Sequence, residues 1–85
     1  MVEYRIYGYS GCTWCRKAKE LLEEESVAYE WVPIEDADAR KAWMDERGFK
    51  APNRTFPRVY GITGDTERLV GGFTELEGDL FLIEP

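Results

Sequence analysis

The sequence holds no histidine and only two cysteines among its 85 residues. A structural zinc site normally takes four Cys or His ligands, so a metal here would have to be shared with another molecule or completed by weak carboxylates. No apolar run approaches the roughly 20 residues that a membrane span requires, and Met1-Val2-Glu3-Tyr4 does not read as a signal peptide. Positive charge is in short supply: 11 Lys and Arg stand against 17 Asp and Glu, for a net charge of −6. That balance argues against a nucleic-acid or anionic-membrane partner. There is no internal repeat, low-complexity segment or linker. What remains is room for one small domain over residues 1–85, with 44% apolar residues and Trp14, Trp31 and Trp43 to build its core. It is expected to be a cytoplasmic monomer.

Both cysteines lie in Tyr9-Ser10-Gly11-Cys12-Thr13-Trp14-Cys15-Arg16-Lys17-Ala18-Lys19, where a strand pattern gives way to a helix pattern. Two cysteines three apart at a helix start face one another across one turn and can form a short disulfide or present two thiols. Cys12 would sit at the positive end of the helix dipole among unpaired N–H groups, which favours thiolate, the attacking species in disulfide exchange. A purely structural bridge closing so short a loop would contribute only about 2 kcal/mol, and two unrelated buried cysteines are the other bland reading. Redox chemistry is favoured, because a cytosolic disulfide is usually catalytic or transient and Cys-x-x-Cys near a strand-helix-strand pattern reads as a thioredoxin-like motif.

In chain order, Tyr4 to Gly8 alternates as a first strand, and Thr13 to Glu25 reads as a helix with Trp14, Cys15, Ala18, Leu21 and Leu22 on one stripe. Tyr29 to Val32 is a second strand stopped by Pro33, parallel to the first through a right-handed crossover. A second helix runs from about Ala37 to Arg47, ended by Gly48, on a thin face of Ala39, Ala42, Trp43 and Met44. Arg58 to Tyr60 and Glu67 to Val70 are expected to pair as a hairpin across a turn at Gly61 to Thr66. Gly71-Gly72 breaks the last strand, and Thr74, as N-cap, opens a final helix bearing Leu76, Leu80, Phe81 and Ile83.

The order β-α-β-α-β-β-α, with Cys-x-x-Cys after the first strand and Thr-x-Pro before the third, resembles the thioredoxin fold in its smallest form, an α/β fold with a four-stranded mixed sheet flanked by helices. Within it the chain is most similar to the glutaredoxins: Tyr7 to Lys19 matches their active-site segment, Thr55-Phe56-Pro57 resembles their Thr-Val-Pro, and Gly71-Gly72-Phe73-Thr74-Glu75-Leu76 resembles their Gly-Gly-x-Asp-Asp-Leu. The longer loop before Thr55 and the non-proline Cys-x-aromatic-Cys resemble small phage-type dithiol members.

The resemblance implies a glutathione-dependent thiol-disulfide oxidoreductase acting on protein disulfides and glutathione mixed disulfides, with no metal and no tightly bound cofactor. It implies a cis peptide at Pro57, a backbone edge at Phe56, and glutathione contacts from Trp14, Thr55, Gly71, Gly72, Phe73 and Thr74. Departures bear on the reductant: Tyr9 stands where a lysine or arginine is common, leaving Arg16 and Arg54 as candidate partners for a glutathione carboxylate, and Thr74 replaces an aspartate that often receives the ammonium. The alternatives are a glutaredoxin-shaped donor to ribonucleotide reductase recharged by thioredoxin reductase, and a module holding an iron-sulfur cluster between two subunits with glutathione.

The unequal positions of the two cysteines yield a first prediction. Cys12→Ser should abolish all reductase activity, whereas Cys15→Ser should retain reduction of a glutathione mixed disulfide and lose reduction of protein disulfides. Equal loss in both variants on a glutathionylated peptide would contradict these roles.

Overall fold

The computed structural model describes residues 2–83, apart from the side chains of residues 82 and 83, so the expectation for the Ile83 side chain lies outside the described residues. Its elements are β1 (Tyr4–Gly8), α1 (Thr13–Glu24), β2 (Tyr29–Pro33), α2 (Ala37–Glu46), β3 (Arg58–Thr63), β4 (Thr66–Gly71) and α3 (Phe73–Ile83). The sheet order is β2-β1-β3-β4, with β1 parallel to β2 and the other pairs antiparallel.

Alternation along the strands divides the side chains between two faces. Tyr4 and Ile6 of β1 and Val59 of β3 meet Ala18 and Leu22 of α1 and Leu76 of α3 in one apolar core, with Trp31 and Val70 against it. Arg5 and Tyr7 point the other way. There Arg5 bridges Glu30 and Glu67, each at 2.7 Å, while Tyr7 Oη donates to Glu67 at 2.6 Å. Arg47, just past the end of α2, joins Glu67 at 3.0 Å and lies over the Tyr7, Trp43 and Tyr60 rings. Burial alone would raise the Glu67 carboxyl, but Tyr7, Arg5 and Arg47 hold it below its ordinary value.

Several local expectations shift by a residue or a face. Cys15, Ala18 and Leu22 are the buried stripe of α1, but Trp14 is 52% exposed and packs on the Phe73 ring at 5.3 Å. In α2 only Met44 is buried and Trp43 half-buried, while Ala39 and Ala42 are exposed. Arg40 occupies the inward position instead, because its guanidinium finds partners in the preceding loop. The hairpin is longer and tighter than expected: the strands run to Thr63 and from Thr66, joined by Gly64-Asp65 with Gly64 at φ 59°. A two-residue turn of this kind needs left-handed backbone.

β4 ends at the expected Gly71-Gly72 break, with Gly71, at φ 131°, as its last residue. Thr74 is not the cap of α3. The Gly72 carbonyl accepts the Leu76 N–H at 3.0 Å, and the Glu75 carboxylate accepts the Gly72 N–H at 2.8 Å. Gly72 therefore holds the cap position and Glu75 reaches back to it, half of a capping box. Phe81, expected on the core stripe, is 71% exposed. No described helix is long and apolar enough to cross a membrane.

Leu22 is fully buried, so Leu22→Ala should destabilise the fold by about 2 to 5 kcal/mol. Leu69, on the sheet face that α2 leaves uncovered, is 48% exposed, and Leu69→Ala should cost under about 1 kcal/mol. Urea titration of the two variants checks the difference.

Candidate active site

The cysteine loop is fixed at both ends. Its entry is the end of β1, and its exit is the first turn of α1, where Cys12 is the N-cap with extended backbone (φ −86°, ψ 111°). The Cys12 N–H donates to the Tyr9 carbonyl at 3.2 Å, and the Cys12 carbonyl accepts the Arg16 N–H at 3.1 Å. Cys12 Sγ takes the place of a capping oxygen: it accepts the Cys15 N–H at 3.1 Å. An acceptor at this position gains from negative charge, since unpaired N–H groups and the helix dipole converge on it. The two cysteines are joined as a disulfide, with Cα atoms 5.2 Å apart.

Exposure separates their roles. Cys12 is 7% exposed and Cys15 1%, so an incoming disulfide can reach the first sulfur while the second lies beneath it. Gly8 makes room for that buried sulfur. A Cβ at Gly8 would overlap Cys15 Sγ and come within 3.0 Å of the Trp31 ring. The sequence marked Gly8 only as the end of a strand; its role comes from facing α1, which the two-residue alternation of β1 could have indicated.

The loop is also tied to the segment before α2. The Glu35 carboxylate accepts the Ser10 N–H at 3.0 Å and the Ser10 hydroxyl at 2.5 Å, and those bonds hold its carboxyl below the ordinary range. Arg40 donates to the Ile34 and Glu35 carbonyls, both at 2.9 Å, and its guanidinium lies 3.9 Å from the centroid of the Tyr9 ring. A cation thus returns to the place where Tyr9 removed one. Neither Glu35 nor Arg40 stood out in the sequence, because their partners belong to a different loop.

Two hollows flank the Trp14, Thr55 and Phe56 side chains. The first, of about 320 Å³, is also lined by Pro57, Arg58, Gly72, Phe73, Thr74 and Glu75. Arg58 is only 7% exposed, with no carboxylate within 4 Å among the described residues, and burial pushes its guanidinium below the ordinary value. Its Nε donates to the Pro57 carbonyl at 3.2 Å. The second hollow, of about 490 Å³, adds Tyr9, Arg40, Lys41, Met44 and Arg54. The Phe56–Pro57 peptide is cis, as is Ala51–Pro52.

The structure therefore gathers Trp14, Thr55, Phe56, Pro57, Gly72, Phe73 and Thr74 around these hollows. It leaves out two expected residues. Gly71 lines neither hollow and lies against the Glu75 side chain, which a Cβ would strike at 2.7 Å. Arg16 is exposed on α1 and also lines neither. Arg54 is present but engaged: it pairs with Asp45 at 2.9 Å and donates to the Phe49 carbonyl at 2.9 Å. Arg40, Lys41 and Arg58 are the cations that sequence reasoning missed; Arg58 had read only as the first residue of a strand.

Residues 5–65 match the glutaredoxin family model. The chain is 34% identical over 56 residues to glutaredoxin 1 of Rickettsia bellii, an alignment that spans 65% of this chain and 57% of that protein's length. The crystal structure of glutaredoxin 1 from Francisella tularensis complexed with cacodylate superposes with a TM-score of 0.79 at 31% identity, covering 94% of this chain and 93% of the other. A buckwheat glutaredoxin-glutathione complex shares the fold, with a TM-score of 0.66 at 18% identity over 93% of this chain and 68% of that one. With its Cys-x-x-Cys redox pair at the start of α1 on a thioredoxin-like α/β fold, the chain belongs to the glutaredoxin family.

Proposed function

We propose that the protein is a dithiol, glutathione-dependent disulfide oxidoreductase. Cys12 as thiolate attacks one sulfur of a substrate disulfide; a Cys12–substrate mixed disulfide forms and the other substrate sulfur leaves as thiolate. Cys15 then attacks Cys12 Sγ, releasing the second substrate thiol and leaving the protein disulfide. Two glutathiones restore the dithiol: one forms a mixed disulfide with Cys12, and the next attacks its sulfur to release glutathione disulfide. Two electrons pass from the two glutathiones to the substrate.

The observation that carries glutathione as reductant is the match of charge across the two hollows. Its γ-glutamyl end bears one carboxylate and one ammonium, and the first hollow offers Arg58 and the α3 N-terminus to the one and Glu75 to the other. Its glycyl end bears only a carboxylate, and the second hollow offers cations and no carboxylate among its lining residues. Between them lies Phe56, whose backbone N–H and C=O have no partner within the chain among the described residues. An extended tripeptide can pair with that edge. Thr74 supplies only a hydroxyl, and the Glu75 carboxylate is shared with the Gly72 N–H at 2.8 Å, so binding through the γ-glutamyl end is weakened. The buckwheat glutaredoxin bound to glutathione supports the same assignment by family likeness.

The finer placement is a small dithiol member of the phage-encoded type, working in the reducing cytoplasm on protein disulfides, ribonucleotide reductase among the candidates. Thr13 between the cysteines and the long loop between α2 and β3 support that subtype.

A coupled assay with glutathione, glutathione reductase and NADPH tests the reductant. Steady turnover of a glutathione mixed disulfide is expected. If physiological glutathione leaves the Cys12–Cys15 disulfide intact while thioredoxin reductase with NADPH reduces it quickly, the protein is instead a glutaredoxin-shaped donor. In the same assay Arg40→Ala should raise the apparent KM for glutathione roughly 3- to 30-fold, as loss of one charge-assisted contact would. Arg16→Ala should leave it within about twofold.

A further inference from the structure

The glycyl residue of glutathione, the smallest there is, is assigned the second hollow, an open depression of about 490 Å³ that it leaves largely unfilled. The second hollow is also richer in charge than one carboxylate requires. Arg40, Lys41 and Arg54 line it, and no acidic side chain does. Asp45, outside the lining, pairs with Arg54 at 2.9 Å and reaches Lys41 only at 3.4 Å. Arg40 has no carboxylate within 4 Å among the described residues; its donors rest on two carbonyls. In a chain of net charge −6, three cations converge beside the reactive loop, framed by the Tyr9, Trp14 and Phe56 rings.

We propose that this hollow is the docking site for an acidic segment of the protein substrate, lying in the two or three positions C-terminal to the cysteine under attack. The inference rests on the glutathione reading for its direction: with the γ-glutamyl end beside α3, the chain running on from the cysteine leads into the second hollow. A protein substrate paired on the Phe56 edge carries its own residues along that path. Aspartate or glutamate side chains there meet Arg40 and Lys41, while their stems lie on the aromatic rings. Such exposed charge pairs contribute modestly each and act chiefly on encounter and on choice between partners. The site thereby distinguishes protein disulfides by the charge of the residues just C-terminal to the cysteine.

The test uses disulfide-linked homodimers of single-cysteine peptides with Cys-Glu-Glu, Cys-Gln-Gln or Glu-Glu-Cys at the centre, mixed with the pre-reduced protein in single turnover. Each disulfide yields two peptide thiols and leaves the protein oxidised, and each rate is normalised to that of the same peptide with dithiothreitol. No glutathione is present, so the result is independent of which reductant recharges the protein. At about 20 mM salt, where the Debye length exceeds 10 Å, Cys-Glu-Glu should react about tenfold faster than Cys-Gln-Gln. That ratio should fall to about twofold at 0.5 M salt, and Lys41→Glu should cut it to about threefold or less at low salt. A low-salt ratio below threefold for the unaltered protein, an equal advantage for Glu-Glu-Cys, or a ratio untouched by Lys41→Glu would overturn the proposal.

Discussion

One contact organises the molecule: the Cys15 N–H directed at Cys12 Sγ, 3.1 Å away, at the first turn of α1. A sulfur that acts as helix cap is stabilised as an anion by groups that must be satisfied in any case, so activation is built into the secondary structure. The contact depends on the strand that delivers the chain to that turn. β1 is held by β2 on one side and β3 on the other, and α1 is pressed on the sheet through Ala18 and Leu22. Gly8 lets Cys15 descend into the same core, which puts the resolving thiol behind the attacking one.

Around that fixed point, charge is distributed by tertiary structure rather than by the active-site segment itself. Tyr9 removes a cation from the loop, and α2 restores one when Arg40 folds over the Tyr9 ring. The Glu35–Ser10 bonds secure the same junction by tying the loop to the segment before α2. On the other side, Arg58 is drawn under Gly72, where a Cβ would come within 3.2 Å of its guanidinium. With no carboxylate within 4 Å among the described residues, its guanidinium donates to the Pro57 carbonyl and borders the first hollow.

The element order was legible because each element carries its own period: alternation in Tyr4 to Gly8 and the Cys15, Ala18, Leu22 stripe of α1 need no tertiary knowledge. The redox pair was legible because spacing within one turn is local. What the sequence hid depends on residues far apart in the chain. Arg40 looks like a solvated charge until the loop before α2 lies against the cysteine loop, and Arg54 looks free until Asp45 comes within 2.9 Å. The start of α3 was misplaced by one residue type competing with another: Thr74 is a good cap by preference, but Glu75 bonding back to Gly72 puts the cap two residues earlier. Trp14 falls on the apolar stripe by spacing, yet the Phe73 ring offers it a place at the surface beside the first hollow.

The activated sulfur is tested most directly by the thiolate absorbance near 240 nm of the reduced protein as pH is raised. The helix-cap position of Cys12 predicts a step with its midpoint between about pH 3.5 and 7.5, absent from Cys12→Ser. A single rise centred near the free-thiol value of about 8.5, unchanged by that substitution, would contradict it.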